Sequence, residues 1–219
     1  MNNVKLVAIT KPMVDGVDTA EQFIAYCARV SNPSNQLNND TAEKLLQYCI
    51  RNKHWSIFET VHLTMSIETT RDIGRQILRH RSFSFQEFSQ RYAAVAEMSE
   101  PREARMQDKK NRQNSIETSD EYLQIKWENT QKYMIEWATN AYHQALEDGI
   151  AKEVARSILP EGLTMSRMYM SGSLRSWIHY CELRMDNGTQ KEHREIATQC
   201  WNIITEQFPS LKNILDNNQ

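Results

Sequence analysis

Glu59-Thr60-Val61-His62-Leu63-Thr64-Met65-Ser66-Ile67-Glu68-Thr69 alternates cleanly, with Val61, Leu63, Met65 and Ile67 on one side and His62, Thr64 and Ser66 on the other. Successive side chains of a pleated strand leave on opposite faces, so this stretch predicts a strand with one packed face. Strands of parallel sheets are apolar on both faces, whereas a one-sided strand belongs to a mixed or antiparallel sheet. His62, on the polar side, reads as a surface residue rather than a ligand. With helical patterns elsewhere, the expected class is α+β: a helix-rich single domain, residues 1–219, around one sheet.

Working outward, Thr70–Leu78 reads as a short helix with Ile73 and Ile77 on one face and Gln76 near its end. Arg79-His80-Arg81 leaves that end. From Arg71 to Arg91 five arginines (Arg71, Arg75, Arg79, Arg81, Arg91) face only Asp72 and Glu87, a local balance of +3 in a chain of formal charge -2. Such a concentration marks an anion-binding site; a solvated surface with ordinary ion pairs is the competing reading. Ser82, Phe83, Ser84 and Phe85 alternate, which predicts an extended run placing Glu87, Ser89 and Arg91 on one side, about 6.5–7 Å apart. A guanidinium grips phosphate bidentately, while a hydroxyl and a carboxylate discriminate sugar or base edges. The set is shaped for a nucleotide.

Elsewhere, Val4–Thr10 reads as a strand. Asp18-Thr19 starts a helix carrying Phe23, Ile24, Cys27 and Ala28 up to Arg29, and Ser31-Asn32-Pro33-Ser34 stops it. A second helix after Asn39-Asp40 carries Leu45, Leu46, Cys49 and Ile50 and ends near Lys53, with His54 just beyond. Residues 93–119 are charge-dense; a connection of that length is a functional lid or a disordered segment, and the basic neighbour favours a lid. Glu121–Glu147 is a long helix with Tyr122, Ile125, Trp127, Tyr133, Met134 and Trp137 spread over several faces, expected to be buried, within the chain or between subunits. Ala151–Ile158 is a short helix with Arg156 in its last turn, where the arginine could simply cap the carbonyls. Leu163–Met170 is ambiguous between strand and helix. Gly172–Arg184 reads as a helix, whose Arg184 could pair with Asp186 or Glu182, and Thr189 as the cap of a last helix to Phe208.

Composition bounds the function. The chain of 219 residues is 40% apolar, and no apolar run nears the ~20 residues of a membrane span. Its start lacks the basic and apolar stretches of a signal peptide, so a cytoplasmic protein is expected. The four cysteines are scattered in apolar helical surroundings, with no metal-ligand spacing among them and the six histidines. Buried free thiols and no metal site are expected. With six glycines and neither a GxGxxG nor a GxxxxGK stretch, a nucleotide must be held by side chains.

Arg79-His80-Arg81, then seven residues to Ser89 and two more to Arg91, resembles the signature of the flavin-dependent thymidylate synthases. Three further matches follow the family's order: His54-Trp55-Ser56-Ile57-Phe58-Glu59, Ala155-Arg156-Ser157-Ile158-Leu159-Pro160, and Leu183-Arg184 with Gln190 and Glu192. The resemblance covers most of the chain. It implies reductive methylation of deoxyuridylate (dUMP) to thymidylate, with methylenetetrahydrofolate as carbon donor, non-covalent FAD as hydride carrier, NADPH as reductant and no covalent enzyme nucleophile. It assigns Gln76, Arg79, Glu87, Ser89, Arg91, Arg156 and Arg184 to the substrate. The flavin falls to Ser31, Ser56, Glu59, Arg79, His80, Arg81, Glu87, Ser173, Arg175 and His179. Arg184 and His54 are implied to serve catalysis, Arg184 by stabilising charge on the uracil carbonyl and His54 at the entrance for folate or nicotinamide. A homotetramer with active sites shared between subunits is also implied. Many members carry Asn where this chain has Ser173 and His where it has Gly188, while His179 stands where the family has Asn or His.

Two other classes compete on residues alone. A single-stranded nucleic-acid-binding module could stack bases on Phe83, Phe85, Phe88 and Tyr92, but the net charge of -2 and pI near 6.3 lack its broad basic face. A metal-dependent nucleotide hydrolase would need clustered acidic ligands that the sequence does not show.

Overall fold

A computed structural model describes residues 2–94, 97–212 and 214–215. The strands are β1 (Asn3–Ile9), β2 (His62–Thr70), β3 (Ser84–Glu87), β4 (Arg105–Gln107), β5 (Ser115–Glu117) and β6 (Met165–Ser173). The helices are α1 (Ala20–Ala28), α2 (Ala42–Arg51), α3 (Arg71–Ile77), α4 (Glu121–Glu147), α5 (Lys152–Ala155), α6 (Leu174–Arg184) and α7 (Lys191–Gln207). The main sheet has the order β1-β2-β6-β3 and every pair is antiparallel; β4 and β5 form a separate two-stranded ribbon. The class is α+β.

At the centre, β2 pairs with β6 along its whole length, from His62 opposite Ser173 to Thr70 opposite Met165. Leu63, Met65 and Ile67 are buried, while Thr64, Ser66 and Glu68 line the polar face, where Thr64 Oγ1 donates to Ser171 Oγ and Arg167 pairs with Glu68. The packed face joins Ile73 and Ile77 of α3, Trp177 of α6, Ile196 and Ile204 of α7, Ile24 of α1 and Leu46 of α2 in one core. Each such side chain contributes roughly 1.5–3 kcal/mol through burial. Trp177 is fully buried and its indole N–H donates to the Leu63 carbonyl at 3.2 Å, so its polar atom is satisfied.

Caps place the helix starts. Thr19 and Gln22 form a reciprocal capping box on α1, Asp120 accepts from Leu123 N on α4, and Ser173 accepts from Ser176 N on α6. Four sequence expectations shift. The strand begins at His62, because Trp55–Glu59 winds into a 3-10 turn. Met165–Ser173 is a strand and takes Gly172 with it, so α6 starts at Leu174. Gln190, not Thr189, precedes α7, and its side chain makes no cap. The extended run ends at Glu87: the Ser89 carbonyl accepts from Tyr92 N and Ala93 N and its hydroxyl from Arg91 N, so the chain turns and Glu87, Ser89 and Arg91 share no common side.

The expected lid is largely structured. Its ribbon is tied to α7 by Arg105–Glu192 and by Lys191 to Glu103 and Glu117, and Gln124 and Gln131 of α4 bond the backbone of Ala104 and Arg102. Val95 and Ala96 lie outside the described residues. Helix α4 is not buried within the chain: Tyr122 is 75%, Tyr133 66% and Trp137 54% exposed. All four cysteines are free; Cys49, Cys181 and Cys200 are buried and Cys27 half-buried. Among the described residues no helix is long and apolar enough to cross a membrane.

Candidate active site

Helices α3 and α6 end side by side. Arg184, in the last turn of α6, donates from Nε to His80 Nε2 at 2.9 Å, joining positions 104 residues apart. Because that nitrogen accepts, a neutral His80 carries its proton on Nδ1. Burial, then the charge of Arg184 with His179 and Arg79, pushes His80 down to about 4. The His80 ring meets the fully buried Tyr180 edge-on at 4.9 Å between centroids. Tyr180 OH lies 3.1 Å from His193 Nε2, and His193 Nδ1 lies 3.2 Å from Gln76 Oε1. Gln76 Nε2 donates to Gln190 Oε1 at 2.8 Å, and Gln190 Nε2 to Glu192 Oε2 at 2.9 Å. Burial, with Arg184 and His80 adding, pushes His193 down to about 3.

A packing contact holds the basic turn in place. Phe83 N donates to His80 O, and the Phe83 ring stands edge-on to Trp177 at 4.8 Å, against Gly172. A Cβ on Gly172 would fall 2.5 Å from that ring. Arg79 and Arg81 on either side of His80 are exposed, and neither side chain has an ion-pair or hydrogen-bond partner among the described residues.

The remaining candidates fall into two groups. A cavity of about 460 Å³ is lined by Trp55, Glu59, Ser82, Arg175, His179 and Glu182, with Arg175 paired to Glu59 at 2.9 Å. A basic depression of about 350 Å³ is lined by Arg71, Arg75, Gln90, Glu153, Arg156 and Glu161. Arg91 joins it by pairing with Glu153, Arg75 is held by Glu161, and Arg156 Nε donates to the Glu153 carbonyl at 3.3 Å, the capping role that its position allowed. Glu87 accepts from Ser166 Oγ at 2.9 Å and lies 3.5 Å from Arg71.

Ser31 and Ser56 are exposed and outside the lining of the larger cavity, and the Ser173 hydroxyl is taken up as the α6 cap. His54 is exposed just past α2, its ring edge-on to Tyr48. Sequence reasoning missed Tyr180, His193 and Gln90, and gave no role to Trp55 although it lies in a signature stretch. His193 leaves one signal, a polar residue on the stripe that runs on through Ile196, Ala197 and Cys200. Gln90 is buried with Nε2 unpartnered, a position no local pattern marks. No group of three or more His, Cys, Asp or Glu stands together to hold a metal among the described residues.

The architecture has solved counterparts. The crystal structure of a UMP/dUMP methylase PolB from Streptomyces cacaoi bound with 5-Br dUMP superposes with a TM-score of 0.82 at 23% identity, covering 99% of this chain and 95% of that one. At that identity the likeness is one of fold. The family described as thymidylate synthase complementing protein matches residues 12–210. The probable flavin-dependent thymidylate synthase of Paramecium bursaria Chlorella virus 1 is 56% identical over 97% of this chain and 98% of its own. The flavin-dependent thymidylate synthase of Synechocystis sp. is 53% identical over 98% of this chain and 99% of its own. The chain belongs to the flavin-dependent thymidylate synthases.

Proposed function

We propose that this protein methylates dUMP reductively to thymidylate in the cytoplasm, taking the carbon from methylenetetrahydrofolate and the reducing equivalents from NADPH. The observation that carries this reading is the Arg184–His80 bond, which brings the last signature stretch onto the Arg-His-Arg turn. Gln76 belongs to the same cluster, so three groups assigned to nucleotides meet where two helices end.

Non-covalently bound FAD would supply the hydride. The side chains suit it: Arg79 and Arg81 offer unpaired guanidinium groups for a pyrophosphate, and the 460 Å³ cavity sets Trp55 and Ile178 beside Arg175 and His179. Arg184 commits Nε to His80, which leaves its two terminal nitrogens for a uracil carbonyl on which negative charge develops. No cysteine is suited to attack the ring, since burial pushes up the thiols of Cys27, Cys49, Cys181 and Cys200. The separation of the substrate candidates into two groups, together with the exposed apolar face of α4, supports a homotetramer in which neighbouring chains complete each site.

The test is direct. Purified protein should be yellow, quench FAD saturably, and convert dUMP to thymidylate only with methylenetetrahydrofolate and NADPH. Cys27→Ala, Cys49→Ala, Cys181→Ala and Cys200→Ala should each keep substantial activity if folded. A folded, flavin-loaded but dead cysteine variant would overturn the mechanism.

A further inference from the structure

The chain of hydrogen bonds from Glu192 to Tyr180 can run in only one direction. A carboxylate only accepts, and Glu192 receives Arg105 on Oε1 and Gln190 Nε2 on Oε2. Gln190 therefore turns its amide oxygen to Gln76, which must answer with Nε2. That leaves Gln76 Oε1 facing His193 Nδ1, and an amide oxygen cannot donate, so Nδ1 carries the hydrogen. A neutral ring holds one such hydrogen. His193 Nε2 is then a bare lone pair, and the Tyr180 hydroxyl must donate to it. His193 and Tyr180 are both fully buried, so neither has water as a substitute partner.

We propose that His193 is a positioning residue which fixes the orientation of the Gln76 amide in the substrate site, and that Glu192 sets the direction of the chain through which it does so. The inference rests on the reading that Gln76 meets dUMP. With its oxygen held by His193 and one Nε2 hydrogen held by Gln190, Gln76 has one hydrogen left to donate. It thus presents a donor, which suits a pyrimidine carbonyl. Reversed, it would turn its carbonyl oxygen to the same place and repel that group. Burial keeps the His193 ring neutral, as this arrangement requires.

The tautomer can be read in the FAD-loaded enzyme by long-range 1H–15N spectra of 15N-histidine protein, with the His193 signal assigned from its loss in His193→Asn. The expected pattern is Nδ1–H with an unprotonated Nε2; an Nε2–H ring overturns the relay. Glu192→Gln replaces the acceptor-only end by a group that allows either direction. It should give a mixture of tautomers and weaken dUMP binding about tenfold, with FAD affinity unchanged; a wild-type tautomer and affinity overturn the role of Glu192. His193→Asn keeps a donor near Nδ1 and should bind dUMP within about threefold of wild type, whereas His193→Phe keeps the volume but not the donor and should lose about tenfold or more. The opposite order, expected of a purely space-filling residue, overturns the proposal. Should these variants fail to fold, the wild-type tautomer still decides. Gln76→Ala separates the two readings: unchanged dUMP affinity removes Gln76 from the substrate, while leaving the relay to be judged by its tautomer.

Discussion

Arg184 gives Nε to His80, and its terminal nitrogens have no hydrogen-bond partner among the described residues, so its loss should be felt in turnover more than in loading. Arg184→Ala is expected to cut kcat by about two orders of magnitude or more while FAD titrates as in wild type; loss of FAD binding would move Arg184 from substrate to cofactor. His80 and His193 give the molecule an acid weakness. Their native values, about 4 and about 3, lie below the ordinary 6.5, so the unfolded chain takes up protons first as pH falls. The stability present above pH 6.5 should therefore decline steadily down to about pH 3. Urea midpoints between pH 7.5 and 4.5 should show the decline, and His193→Asn should make it shallower, leaving the share of His80; an unaltered slope in the variant would mean that His193 does not contribute. The basic turn stood out in the sequence because a cluster of like charge is costly and hard to explain as packing, and the resemblance alone gave His80 its role there. His193 was not, since a lone histidine on an apolar helix face is usually a satisfied core residue, and only its partners Tyr180 and Gln76 give it a direction.

Strands β2 and β6 run straight into helices, and small residues decide how closely they are approached. Gly172 leaves room for the Phe83 ring, so Gly172→Ala should push Phe83 off Trp177 and cost about 1–3 kcal/mol, read as a lower melting temperature. Phe83→Leu should recover part of that loss in the double variant; strictly additive losses would show that the two sites do not touch. Arg102 clamps the 97–119 segment. Its guanidinium donates to Asp72 through Nη1 and Nη2, both at 2.8 Å, and to Thr70 Oγ1 at 2.6 Å, all at the start of α3. Although burial pushes the Asp72 carboxyl up, the bonds from Arg102 and Thr70 hold it below its usual value. Arg102→Ala should open residues 99–107 to amide hydrogen exchange; protection equal to wild type would mean that the ribbon is held elsewhere. The central strand was readable because period two has no rival over that length. The turn at Ser89 was not, because it rests on a hydroxyl and a carbonyl bending back on their own neighbours. The ribbon was hidden too: its anchors, such as Arg105–Glu192, span 87 residues and leave no local periodicity.

For the whole molecule the exposed face of α4 is the chief anomaly. Gln124, Gln131 and Tyr142 tie the helix to the rest of the chain, yet the face that shows Tyr122, Ile125, Tyr133 and Trp137 to water is left uncovered among the described residues. Light scattering should give four times the chain mass, and Tyr133→Glu with Trp137→Glu should release smaller species; a monomeric wild type in dilute solution would refute the tetramer. The sequence showed that this helix is apolar on several sides, but whether a second chain covers it is a matter of surface that no single sequence pattern encodes. The two bare guanidinium groups beside His80 have a consequence for time rather than for affinity. Arg75, Arg91 and Arg175 are each matched by a carboxylate, so the field that reaches into solvent at the turn belongs to Arg79 and Arg81. A nucleotide carrying a phosphate dianion is drawn along that field before it touches anything. Screening shrinks its reach from about 30 Å at 0.01 M salt to about 3 Å at 1 M. Stopped-flow capture should accordingly slow steeply with added salt while escape hardly changes, so that the speed of the first encounter depends on the ionic strength of the surroundings.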